Sequence, residues 1–213
     1  MSTKVYELND ESQAFRNEVV EEEGGHHLRS CFQCSSCSLA CPVAEVGVDL
    51  HPRRVIRQIL FGLRKEVLQS PEIWKCVGCF ECTDTCPQNV RFTEVIEALR
   101  RIAIRDSKHR DKNRRIALPK EGVLKHSFDK RFKESVWLWG RTWEPGMIGR
   151  YFLYGRGLPF GALIGFKYVS MILSLIVKFK IEFLPPRTGE TRKEVRRIFA
   201  RAKELQNGRG PSS

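Results

Sequence analysis

All eight cysteines of the 213-residue chain lie in two strings of one spacing: Cys31, Cys34, Cys37, Cys41 and Cys76, Cys79, Cys82, Cys86. Each string ends in a proline, Pro42 or Pro87, and both read C-x2-C-x2-C-x3-C-P. A chain that commits every thiol to two short loops has to fold around whatever those thiols hold. None is left for a disulfide or a redox-active thiol elsewhere.

The spacing is the run that binds [4Fe–4S] clusters in two-cluster ferredoxins. Thiols at i, i+3 and i+6 on a coiling loop reach three iron corners of a cube, and the fourth corner must be reached from elsewhere. In two-cluster proteins the remote cysteine before the proline crosses to the other cluster. The expected sets are therefore Cys31, Cys34, Cys37 with Cys86, and Cys76, Cys79, Cys82 with Cys41. Pro42 and Pro87 fix φ and lack an N–H, which suits a chain turning away from the cluster loop. Small or polar residues between the cysteines (Ser35, Ser36, Ser38, Gly78, Thr83) let backbone N–H groups approach sulfur and help set the potential. Structural zinc uses paired C-x2-C units and leaves the third cysteine of each string unexplained. Disulfides suit a secreted chain, whereas the first residues are polar and acidic without an apolar h-region. His26 and His27 stand near Cys31, but cysteine already fills the coordination positions.

The strings are joined by apolar periodicity of helical type. Pro52 suits a first helical position, and Val55, Ile56, Ile59, Leu60 and Leu63 share one face, predicting a four-turn helix that runs on to Leu68. After the second string, Thr93 is placed to cap a helix to about Arg105, with Val95, Ile96, Leu99, Ile102 and Ala103 as its stripe. String plus helix thus recurs with a period of 45 residues, Cys31 to Cys76. Short bacterial ferredoxins join their strings through β-hairpins, so this connector predicts a mainly α fold: an α-helical ferredoxin with two [4Fe–4S] clusters plus a basic, partly apolar C-terminal extension. The expected division is 1–27, a polar lead-in whose Phe15, Val19 and Val20 make a turn or two; 28–107, the two-cluster domain; and 108–213, a docking extension.

The formal charge of +12 implies acidic partners: an anionic subunit, a membrane surface or nucleic acid. Part of the surplus offsets the anionic thiolate clusters. No nucleic-acid module accompanies the charge, so that partner rests on charge alone and is not favoured. Residues 100–133 read as a basic strap interrupted by Pro119 and Gly122. The aromatic patch Trp137, Trp139, Trp143, Tyr151, Phe152, Tyr154 is dense in glycine and proline and predicts irregular packed chain. Residues 158–184 are the most apolar run, but Lys167 in the middle and the Gly and Pro breaks disfavour a span. They suit either a segment lying peripherally on a bilayer or a docking helix against another protein. Pro185 and Pro186 stop that run ahead of a basic amphipathic helix through Val195–Leu205.

Residues 28–105, with the two strings, the helical connector and Thr93-Glu94-Val95-Ile96, resemble the C-type iron–sulfur component of heterodisulfide reductases and its bacterial relatives. Lys180-Ile181-Glu182-Phe183-Leu184-Pro185-Pro186 leading into Val195–Phe199 looks like the close of longer members. The resemblance implies a cytoplasmic electron-transfer subunit of a multi-subunit oxidoreductase. Its two clusters would relay electrons between a flavin-bearing A-type subunit and a cysteine-rich B-type subunit with the disulfide- or sulfur-active site, in the version found in sulfur oxidation among others. The chain departs from the short form by the extension 108–183. It lacks a paired Cys-Cys-Gly motif and a G-x-G-x-x-G fingerprint, so no substrate site of its own is expected, and flavin or nicotinamide must sit elsewhere. The alternative is a membrane-docked iron–sulfur subunit of a respiratory dehydrogenase or quinone-linked complex. Arg53, Arg54, Lys75 and Arg91 flank the strings as cluster-tuning, partner-binding or plain surface cations.

Overall fold

The computed structural model describes residues 9–155, 174, 177–178, 184–186 and 188–208. It divides into two compact units, residues 1–123 and 124–213. Among the described residues every regular element is helical.

The first unit opens with α1, Asp10–Glu21. Asn9 takes an extended backbone and its side-chain oxygen accepts from the Ser12 N–H at 3.0 Å, while Asp10 and Glu11 complement the positive end of the helix. The turn or two expected here is a 12-residue helix, and its Phe15 and Val19 belong to the same core as the helices behind the cysteine strings. Short helices α2 (Ser36–Leu39) and α3 (Pro42–Glu45) follow the first string.

The connector differs from the single helix expected. It forms α4, Pro52–Leu60, with proline in its first turn as predicted, and then a separate α5, Arg64–Leu68. Gly62 is the cause: at φ +71° it sits in the left-handed region, where glycine alone is unstrained. The N–H of Leu63 reaches the Gln58 carbonyl at 3.0 Å and that of Gly62 reaches Ile59 at 2.8 Å. That pair of bonds closes a helix as a Schellman motif. A Cβ at Gly62 would strike the backbone of Ser12 in α1, so the break also lets α1 lie close.

A single 3₁₀ turn, Glu72–Trp74, leads into the second string. Beyond it come α6 (Glu81–Asp84) and α7, Phe92–Ser107. All five stripe residues predicted for α7, from Val95 to Ala103, are buried. Its start is corrected. Arg91 is the capping position and makes no side-chain cap, while Thr93 lies buried within the first turn. The core of Phe15, Val55, Ile56, Ile59, Val67, Leu68, Ile73 and the α7 stripe extends to Cys82, with Cys31, Cys37, Cys76 and Cys86 packed on its edge.

An ionic cluster closes the other side of this core. Arg64 donates to Asp106 at 3.1 and 2.5 Å and also to Glu18. Arg105 and Arg114 pair with the same Glu18. Asp106 is fully buried, so α1, α5 and α7 are tied by a buried charge that must stay paired.

Helix α8, Lys120–Trp139, corrects the interrupted strap. Pro119 precedes the helix, and its carbonyl accepts the Val123 N–H at 3.0 Å. Gly122 gives Trp74 room, since a Cβ there would come within 2.7 Å of the indole. In the second unit the aromatic patch is largely helical, which also departs from expectation. Gly140, at φ +75°, ends α8, and α9 runs from Glu144 to Gly155 with Pro145 in the first turn, where a missing N–H costs nothing. Trp139 meets Trp143 edge-on at 5.5 Å, and Phe128 meets Tyr151 at 5.9 Å. The expected basic C-terminal helix, α10, spans Gly189–Gly208, and Arg196 lies over the Trp137 ring at 4.7 Å. Apart from 174, 177–178 and 184, the apolar run 158–184 lies outside the described residues. Among the described residues no helix is long and apolar enough to cross a membrane.

Candidate metal centres

The two strings repeat in backbone as well as in sequence. Two residues after the first cysteine, Gln33 (φ 63°) and Gly78 (φ 72°) are left-handed, and two further on Ser35 (φ 77°) and Phe80 (φ 67°) are again. Each loop then enters a four-residue helix, α2 or α6. A left-handed non-glycine residue costs roughly 1–2 kcal/mol. Gln33, Ser35 and Phe80 hold it because the coil they make turns successive thiols to one side.

Two cavities result. One is lined by Cys31, Cys34, Cys37 and Cys86, with Arg53, Ile56 and Phe92 among its walls. The other is lined by Cys41, Cys76, Cys79 and Cys82, with Leu50, Pro52 and Thr93. Each is walled by three cysteines from one string and one from the other. Phe92 is buried and lines both. Among the described residues no three His, Cys, Asp or Glu groups converge closely enough for a single ion.

The sulfurs are met by donors. Gln33 Nε2 donates to Cys31 Sγ at 3.4 Å and the Val90 N–H to Cys86 Sγ at 3.3 Å. Ser36 Oγ lies 3.3 Å from Cys34 Sγ, and Thr93 Oγ1 lies 3.7 Å from Cys82 Sγ. Burial pushes the Cys37 thiol up to about 11, against the Ser38 hydroxyl, and neighbouring Cys31, Cys82 and Cys86 add to the rise. Burial likewise raises Cys76 and Cys82, partly offset by the Gly78 N–H and Arg100 at the former and the Thr93 hydroxyl at the latter. Exposed Cys34 is lowered by the Ser36 hydrogen bond. Half-buried thiols that resist ionising on their own are stabilised as thiolates by a bound cation. The donor set therefore fits iron–sulfur clusters: four thiols per cavity, largely apolar walls and hydrogen bonds to sulfur.

His26 and His27 line neither cavity. Of the four flanking cations only Arg53 lines one, with Nη1 donating to Ser35 Oγ at 2.8 Å and its N–H to Ser38 Oγ at 3.0 Å. Arg54 pairs with Asp49 and Glu72, Lys75 reaches the Asp49 carbonyl, and Arg91 pairs with Glu94 on the surface. Sequence reasoning missed Phe92 and Arg100. Arg100 is buried behind the second string, with Nη2 donating to the Cys76 carbonyl and Nε to that of Ile73, both at 2.9 Å.

Helices carrying two repeated four-cysteine sets define a two-cluster iron–sulfur domain, and residues 12–91 match the family described as 4Fe-4S dicluster domain. The domain indicates two [4Fe–4S] clusters. The chain is further similar to proteins named as the C-type component of heterodisulfide reductases. It is 40% identical over 85 residues to a C-like heterodisulfide reductase protein of Archaeoglobus profundus, covering 40% of this chain and 45% of that protein. It is 38% identical over 107 residues to the C2 component of the H(2)/formate:CoB-CoM heterodisulfide,ferredoxin reductase of Methanococcus maripaludis, covering 47% and 55%. With the second C-type iron-sulfur component of the CoB-CoM heterodisulfide reductase of Methanocaldococcus jannaschii the identity is 36% over 106 residues, covering 46% and 56%. The chain thus spans about half the length of the curated relatives it matches.

Proposed function

We propose that this chain is an electron-transfer subunit of a heterodisulfide reductase-like complex. Its two [4Fe–4S] clusters relay electrons between a flavin-bearing A-type subunit and a cysteine-rich B-type subunit that acts on a disulfide or other sulfur substrate, with sulfur oxidation as one physiological direction. Bound clusters supply one-electron capacity; the residues of this chain hold them and set their potentials. Cys31, Cys34, Cys37 and Cys86 ligate one cluster, and Cys76, Cys79, Cys82 and Cys41 the other. The observation that supports this reading best is the pair of cavities, each walled by four cysteines drawn from both strings. The exchange of Cys41 and Cys86 staples the two halves, so assembly of one cluster is coupled to the other.

Chemical analysis of the anaerobically purified chain should find about eight irons and as many labile sulfides, the content of two cubes. Cys86→Ser should mainly damage the cluster of Cys31, Cys34 and Cys37. Damage confined to the second-string cluster refutes the crossed ligation, and bound zinc refutes the whole reading. With purified flavin and sulfur-active partners, electrons should pass between them only when this chain is present. Equal turnover without it refutes the relay.

A further inference from the structure

We infer that Arg100 is a positioning residue that holds up the reduction potential of the second-string cluster. This rests on the two-cluster reading above and adds to it an asymmetry between the repeated halves. Arg100 is 6% exposed. Its guanidinium is fixed on four sides: Nη2 on the Cys76 carbonyl, Nε on the Ile73 carbonyl, Nη1 on Glu97 at 2.7 Å, and one face toward the Trp74 ring at 5.8 Å. Cys76 repeats Cys31 and Ile73 repeats Leu28 at the 45-residue step. In the helices that follow, the stripe Val95, Ile96, Leu99 of α7 repeats Val55, Ile56, Ile59 of α4, so Arg100 stands where α4 has Leu60, a partly buried aliphatic side chain. Among the described residues the first half has no such buried cation. Its nearest counterpart is Arg53, an exposed residue bonded to Ser35.

Reduction adds an electron to an already anionic centre, so burial disfavours it and a buried positive charge favours it. The second set is the more deeply enclosed: Cys41 and Cys82 are 7% and 6% exposed, while among the first set's cysteines none is buried. Enclosure alone would drop the second cluster's potential below that of its neighbour. Arg100 opposes that drop at the enclosed site, keeping the pair close enough in potential for electrons to cross. Glu97 is 54% exposed on its side chain, so water weakens its neutralising effect and a net positive field remains at Cys76.

The test is an anaerobic redox titration of the cluster-loaded full chain, followed by electron paramagnetic resonance. Signals are assigned to each cluster with Cys34→Ser and Cys79→Ser. Arg100→Gln, which keeps a donor but loses the charge, should lower the second cluster's reduced-to-oxidised ratio at fixed potential about tenfold, about 59 mV for a one-electron couple. The first cluster should not move. Arg100→Lys should restore most of the shift, and Glu97→Gln, which unmasks the charge, should move the second cluster upward. No shift in Arg100→Gln, an equal shift in Arg100→Lys, or both clusters moving together would overturn the inference. If Arg100→Gln fails to assemble, Glu97→Gln decides, and absence of an upward shift overturns it. A wild-type chain that binds no second cluster refutes the two-cluster reading instead, a distinguishable result.

Discussion

Replacing Arg64 by leucine tests whether the ionic cluster beneath α1, α5 and α7 sustains the domain. The substitution removes two hydrogen bonds to Asp106, the pairing to Glu18, and a guanidinium lying 5.1 Å from the Phe15 ring centre. Glu18 keeps Arg105 and Arg114, so its loss is small. Asp106 is different: it is fully buried, and its remaining cation is Arg114, 3.5 Å away and 44% exposed. Breaking a buried pair costs about 3–5 kcal/mol because the partner charge is stranded. The residual Arg114 contact and the 23% exposure of Arg64 put the expected loss at the lower end, about 3 kcal/mol. Urea titration of the cluster-loaded chain, read by circular dichroism and by cluster absorbance, should show a lower midpoint with little change in slope. Arg64→Leu combined with Asp106→Leu should recover part of the loss, since no orphan charge remains. A loss below about 1 kcal/mol, or no recovery in the double variant, would mean that Asp106 is solvated and the cluster of charges is incidental.

The same site predicts a pH dependence: burial would raise Glu18, but the hydrogen bond and charge of Arg64, with Arg105 and Arg114, hold it below its ordinary 4.5. Its contribution is therefore full above about pH 4.5 and lost as pH falls toward the folded value, and the slope of stability there should flatten in Arg64→Leu. Gly62→Ala should destabilise by at least about 1 kcal/mol, because an alanine is strained at φ +71° and its Cβ meets Ser12; a neutral result in denaturation would show that α1 can move away. Asn9→Ala should cost about 1 kcal/mol through the lost cap of α1, measured the same way. The run 158–184 should release the full chain from membranes on carbonate extraction, since Lys167 at a bilayer centre costs roughly 2.5–3.5 kcal/mol; retention in the pellet would favour a span.

What the sequence discloses and what it hides divide along a physical line. The two cysteine strings are legible because a metal-binding spacing is a local signal with a fixed chemical consequence, and the stripes of α4 and α7 because amphipathic periodicity persists over several turns. The break at Gly62 is not, since a lone glycine inside an apolar pattern looks the same whether it is tolerated in a helix or closes one; the close approach of Ser12 decides it, and that contact is tertiary. Pro119 and Pro145 look like breakers in the sequence, although at a helix start the missing N–H is harmless. Thr93 has the residue type of a cap but lies inside the first turn, where its hydroxyl serves Cys82 instead. Arg100 is hidden within a run of basic residues, where a surface role is the ordinary expectation. Setting the two helices stripe on stripe exposes it, because the step that carries Val95, Ile96 and Leu99 to Val55, Ile56 and Ile59 carries Arg100 to the apolar Leu60. In a duplicated scaffold the positions that match build the framework. Those where charge replaces hydrocarbon at a buried site are where the two centres are made unequal, and an electron relay needs its two centres adjusted one against the other.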